Sequence, residues 1–161
     1  MSKYGLPDLV RFAKNLGIEV QLGTETEYKT IPKTVRWVGP RRIVRGRSVM
    51  TLKITVDQLT SSSLPDIVIN DLAHELGHFI AAPKGRRCKI DYGIKTKSKF
   101  AELDEFKANF VEIAIQQALD RRTYVFSQRQ KNFPEYKQAE EWWRSEGQIM
   151  VKTLLEFLML G

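Results

Sequence analysis

Asn70-Asp71-Leu72-Ala73-His74-Glu75-Leu76-Gly77-His78-Phe79 is the stretch on which the reading of this chain turns. Inside it lies His74-Glu75-Leu76-Gly77-His78, an H-E-x-x-H pattern. Residues four apart share a face of a helix, so His74 and His78 point the same way, one turn apart. Two imidazoles so placed can hold one zinc ion through ring nitrogens at about 2.0–2.1 Å. Glu75, beside the first of them, then reaches a water activated by the metal and can take its proton. Coincidence is the plain alternative, because a five-residue pattern arises by chance. Two features weigh against it. The chain has no other histidine, and the flanking Ile67, Val68, Ile69, Leu72, Ala73, Leu76, Phe79, Ile80, Ala81 and Ala82 describe a helix that is apolar on nearly every side. Two histidines and a glutamate in such surroundings need strong partners, and a metal ion provides them.

The rest of the composition fits an ordinary folded protein. With 161 residues, 42% hydrophobic and 28% charged, the chain is expected to form a single domain over 1–161 with a real core. The opening MSKYGLPDLVRFAKNLGIEV reads as a short amphipathic helix without the apolar centre and cleavage site of a signal peptide. No apolar run approaches a membrane span. Cys88 is the only cysteine, which excludes an internal disulfide and agrees with a reducing, cytoplasmic setting; it reads as a loop thiol rather than a ligand.

Charge is distributed unevenly. Between Tyr28 and Val56 stand Lys29, Lys33, Arg36, Arg41, Arg42, Arg45, Arg47 and Lys53, with no acid; between Lys84 and Lys99, seven cations face Asp91 alone. Such asymmetry suggests an acidic partner, nucleic acid first, with Arg41, Arg42, Arg45 and Arg47 as contacts. A solvated basic face is the bland reading.

Outward from the motif, hydrophobic periodicity predicts helices over Pro7–Leu16, around the motif itself, and over Phe100–Leu119. A further helix begins after Asn132-Phe133-Pro134 and runs toward Leu158, with Tyr136, Ala139, Trp143, Met150 and Leu154 on one side. Ile18–Leu22 and Thr34–Val38 read as strands, the second ended by Gly39-Pro40; Arg42–Val44 and Ser48–Val56 read as a hairpin about Arg45-Gly46-Arg47. The expected class is α+β: a small antiparallel sheet packed on the motif helix, with a helical C-terminal half. Pro83–Lys99, carrying Arg86, Arg87, Asp91, Tyr92 and Gly93, is a long basic loop, and loops of that length are usually functional.

Two histidines leave zinc short of the three protein ligands usual in a catalytic site. With no histidine left, an acid must supply the third, and the helix from Phe100 offers Glu102, Asp104, Glu105 and Glu112. Glu105, Asn109, Glu112 and Gln116 form a polar stripe among Leu103, Phe106, Ala108, Phe110, Val111, Ile113, Ala114 and Ile115. A metal-bearing helix packed across it would satisfy that stripe; an exposed helical face is the alternative.

His74-Glu75-Leu76-Gly77-His78 followed by Glu105-Phe106-Lys107-Ala108-Asn109 resembles the gluzincin pattern, H-E-x-x-H and then Glu with Asn or Asp four residues on. More narrowly, it is similar to the ImmA/IrrE-like metallopeptidases. The stretch from His78 to Pro83, with Arg86-Arg87 and Asp91-Tyr92-Gly93, looks like the metallopeptidase domains of phage polyvalent proteins. The likeness covers roughly Ile67–Leu119. It implies a zincin-like fold, His74, His78 and Glu105 as zinc ligands, Glu75 as catalytic base, and Asn109 orienting a ligand from behind, a position that Glu112 also fits. Glu102 and Glu112 are the fallbacks for the third ligand. The function implied is hydrolysis of a peptide bond in a specific intracellular protein, with Tyr92 or Arg86 as donor to the developing oxyanion. The competing reading is a basic nucleic-acid-binding module, or a DNA-recruited protease, in which the metal is structural.

Overall fold

A computed structural model describes residues 5–22, 35–44, 47–54, 64–81 and 101–160 of the chain. In chain order these form α1 (Leu6–Asn15), β1 (Glu19–Leu22), β2 (Val35–Val44), β3 (Arg47–Ile54), α2 (Leu64–Ala81), α3 (Ala101–Ala118), α4 (Gln128–Lys131), α5 (Pro134–Trp142) and α6 (Gln148–Leu155). Two π turns follow α5 and α6, Trp143–Gly147 and Glu156–Leu160. No helix among the described residues is long and apolar enough to cross a membrane.

The molecule is α-rich, with the expected helical C-terminal half. Its described core is mainly helix on helix: Leu9, Phe12 and Ala13 of α1, Val68, Leu72, Ala73 and Leu76 of α2, and Val111 and Ile115 of α3 are all fully buried, and Val35 of β2 joins them. Val151, Leu155 and Met159 close the same cluster from the C-terminal end. The three strands, of four, ten and eight residues, are a minor element in the order β1-β3-β2. Nor is their pairing all antiparallel. β2 runs antiparallel to β3, but β1 joins β3 in parallel, with Glu19 opposite Thr51 and Leu22 opposite Ile54. A parallel partner needs a crossover, and the long segment between β1 and β3 allows one.

Gly39-Pro40 also behaves differently from the expected strand end. β2 continues through it, and the register with β3 slips on either side of Pro40. Proline has no N–H for the ladder, so a bulge is where a strand can carry one.

Local signals explain the helix ends. Asp8 accepts a hydrogen bond from Gly5 N–H at 2.8 Å, opening α1. At its other end Gly17 takes φ +88°, and Gly17 N and Ile18 N donate back to Lys14 O and Ala13 O, each at 3.0 Å; this left-handed cap suits glycine. Arg11 and Asn15 of α1 donate to the carbonyls of Met159 and Leu158, at 3.3 and 2.8 Å. The first helix therefore caps the last turn of the chain.

The C-terminal helical run buries Tyr136, Ala139, Gly147, Val151, Leu155 and Met159, and Trp143 and Leu154 are half-buried against the core. Met150, expected on this side, is exposed. From Ala139 onward the inward positions recur in steps of four. In a pure α-helix such a stripe would rotate by about 40° per turn. The wider π turns rotate it back, so every fourth residue stays on the core and Met150 does not.

α2 and α3 meet most closely at Gly77, whose hypothetical Cβ would lie 3.1 Å from the carbonyl carbon and 3.3 Å from the Cα of Ala108, with the carbonyl oxygen closer still. Helix propensity alone makes Gly77→Ala stabilising by about 1 kcal/mol. Backbone-on-backbone overpacking, at about 1–3 kcal/mol, opposes it and wins, because neither helix backbone can yield like a flexible side chain. Gly77→Ala should lower the denaturant midpoint; a raised midpoint would show that the helices do not approach as described.

Candidate metal centre

α2 and α3 cross with their polar residues facing one another. Asn70, His74 and His78 climb one face of α2 at intervals of four. Gln116, Glu112 and Glu105 descend the facing side of α3, and the partners match in that order. Gln116 Nε2 donates to Asn70 Oδ1 at 2.8 Å. His74 Nδ1 meets Glu112 Oε2 at 3.1 Å, and His74 Nε2 meets Glu105 Oε2 at 3.2 Å. His78 Nε2 meets Glu105 Oε1 at 2.9 Å. Three members of the polar stripe of α3, Glu105, Glu112 and Gln116, thus meet the motif helix.

The imidazoles stand edge-to-face, centroids 4.8 Å apart at 89°. One ligand atom from each of His74, His78 and Glu105 lies within 4.8 Å of the others. The donor set is two imidazole nitrogens and one carboxylate oxygen, a combination that zinc accepts with an open position. Glu112 sits on the other ring nitrogen of His74, where a carboxylate fixes the tautomer and ring orientation of a metal-binding histidine. These residues fit a divalent ion. Glu75 is buried in α2 between fully buried Ala73 and Leu76, and His78 is also buried, whereas the Glu105 side chain is 44% exposed and opens the group to solvent.

Electrostatics concentrates here. Burial disfavours a charged His74 ring, but the hydrogen bonds to Glu105 and Glu112 outweigh it and push its pKa up to about 10. Burial likewise works against an ionised Glu105, yet the two histidines hold its carboxyl well below the usual carboxylate range. Protonated imidazole and a divalent cation are alternative ways of meeting the same carboxylates.

The sequence-predicted residues divide into three groups. His74, His78 and Glu105 come together, with Glu112 behind His74. Asn109 does not take the orienting role expected of it. It lines a cavity of about 330 Å³ with Glu102, Glu105, Phe106, Gln130 and Phe133. Glu102 lies in that wall, and neither it nor Asp104 belongs to the converging group among the described residues. The remaining candidates cannot be placed in the site: Tyr92, Arg86, Arg45 and Cys88 lie outside the described residues, and for Arg41, Arg42 and Arg47 only the backbone positions in β2 and β3 are described.

Two features went unread in the sequence. Arg121 extends the polar seam, with Nε donating to Gln116 Oε1 at 2.9 Å. α4, which supplies Gln130 to the cavity, had a legible signal in Ser127-x-x-Gln130. Ser127 Oγ accepts from Gln130 N, and Gln130 Oε1 accepts from Ser127 N at 2.8 Å, a reciprocal cap that starts a helix.

Comparison of the chain with protein-family models, curated proteins and solved structures finds no match.

The pKa shifts set the pH dependence of the metal-free protein. The raised His74 pKa makes a stabilising contribution that is complete below its ordinary value of 6.5 and lost as pH rises through about 10. The depressed Glu105 pKa contributes above its ordinary 4.5, and that contribution is lost as pH falls below it. Urea unfolding of chelator-treated protein should therefore show greater stability near pH 6 than near pH 10, and Glu112→Gln should shrink the difference. Equal stability at both pH values in the parent protein would contradict the pairing.

Proposed function

We propose that the protein is a zinc-dependent endopeptidase of zincin-like fold that cuts a specific intracellular protein. The convergence of His74, His78 and Glu105, with Glu75 buried in the same helix turn, is the observation that supports this reading most. His74, His78 and Glu105 would hold the zinc, which would supply Lewis acidity toward a peptide carbonyl and lower the pKa of water toward ~7. Glu75 acts as general base, taking the proton from the attacking water, and then as general acid to the leaving amine. Glu112 holds the His74 ring, and Glu105 balances positive charge beside both imidazoles. Tyr92 and Arg86 are the proposed donors to the oxyanion. The likeness to ImmA/IrrE-like peptidases rests on the two motifs and points to a regulator protein as substrate.

The charge distribution favours a second reading. Between Tyr28 and Val56 the chain carries eight cations and no acid, and a run of like charge calls for an anionic partner. A nucleic-acid backbone would provide one, whether as the main ligand or as a recruiter of the protease. Binding should then weaken steeply with salt and with charge reversal at Arg41, Arg42 and Arg45.

Metal analysis of purified protein should find about one zinc per chain. Glu105→Ala should lose the zinc while the fold survives, and Glu112→Gln should lower zinc affinity about 10–100-fold. In a proteome-wide cleavage screen, Glu75→Gln should retain zinc and lose cleavage by at least about 10²-fold. Zinc-free native protein, or cleavage unchanged in Glu75→Gln, would sink the peptidase reading.

A further inference from the structure

The cavity beside Glu105 has walls of a particular kind. Phe106 and Phe133 pack against each other in one aromatic wall, ring centroids 6.3 Å apart. Phe106 is buried and braced by Tyr136 and Phe126, with centroids at 5.7 and 6.0 Å, so this wall is preformed. The polar lining is Glu102, Glu105, Asn109 and Gln130. Among these lining residues the only charges are two carboxylates, in a chain of net charge +7. Both oxygens of Glu105 already meet imidazoles, Oε2 at His74 and Oε1 at His78. Glu102, exposed at the start of α3, is left to meet a ligand.

We propose that this cavity receives a lysine or arginine side chain of a bound peptide. A long cationic side chain lays an aliphatic stem against apolar walls and keeps its charged head at a polar rim, here Glu102 and the amides of Asn109 and Gln130. The aromatic wall of Phe106 and Phe133 adds cation–π attraction. An acidic side chain would face two carboxylates. A purely apolar one would strip water from Glu102 and the two amides without replacing their hydrogen bonds. At about 330 Å³ the space lies at the small end of ligand pockets, suited to one side chain rather than a whole cofactor. Because Glu105 forms part of both the cavity wall and the metal cluster, a peptide lying across the cluster would place a neighbouring side chain here. As a substrate subsite the cavity rests on the peptidase reading; as a cation pocket it does not.

The test separates the two. Full-length isotope-labelled protein is titrated with three blocked amino acids, the acetyl methylamides of arginine, norleucine and glutamate, while the side-chain amide signals of Asn109 and Gln130 are followed by NMR. The arginine probe should shift both signals and bind at least several-fold more tightly than norleucine, with glutamate weakest. Glu102→Gln, a surface substitution that leaves the core untouched, should remove most of the arginine preference. Equal shifts with all three probes, no shift with any, or an arginine preference unchanged in Glu102→Gln would each overturn the proposal. Arginine binding in a protein that takes up no zinc would keep the pocket and discard the peptidase.

Discussion

The fold depends on how closely two helices approach. At Gly77 the backbone of α2 lies against the carbonyl of Ala108 in α3, with no side chain between them. Gly77 and Ala108 are both buried, and the helices above and below this contact are held by Leu72, Leu76, Val111 and Ile115. Only at that separation can the short reach of a glutamate from α3 meet an imidazole from α2. A larger residue at either position would splay the helices and pull Glu105 and Glu112 away from His74. The glycine inside the motif is therefore a packing requirement, and the chemistry is built on it.

The close approach runs a polar seam through an apolar interface, buried at His78 and Gln116 and open at its ends, Asn70 and Glu105. Buried polar groups are tolerated when each finds a partner, and a partly satisfied network is worse than none. Here the seam is ordered from end to end: Arg121 and Gln116 with Asn70, then Glu112 with His74, then Glu105 with both histidines. The acidic side lies on α3 and the imidazoles on α2. That arrangement stabilises a protonated His74, and it suits a metal ion as well. It also leaves Glu105 half in the open, at the boundary between the seam and the neighbouring cavity.

Much of this was legible in the sequence because helices obey a fixed rotation. At about 100° per residue, Glu112 lies only about 20° from Glu105 around α3, and Gln116 about 20° on the other side. Asn109 is rotated by about 40°, which carries it off the seam and into the cavity wall with Phe106. The family resemblance implied it as the orienting residue, with Glu112 as a second candidate, and of the two it is Glu112 that meets His74. Similar reasons explain the other departures. Gly39-Pro40 has the composition of a turn, yet a bulge accommodates it within β2. Met150 fits a strict α-helical period, but the π turn at Trp143–Gly147 changes the period. Bulges and π turns are settled by tertiary packing, so local patterns do not reveal them.

X-ray absorption at the zinc edge of the purified protein tests most directly whether His74, His78 and Glu105 hold a zinc ion. The account predicts a first shell of two imidazole nitrogens with one or two oxygens at about 2.0–2.2 Å, and no sulfur. A shell without imidazole scattering, or one containing sulfur from Cys88, would contradict it.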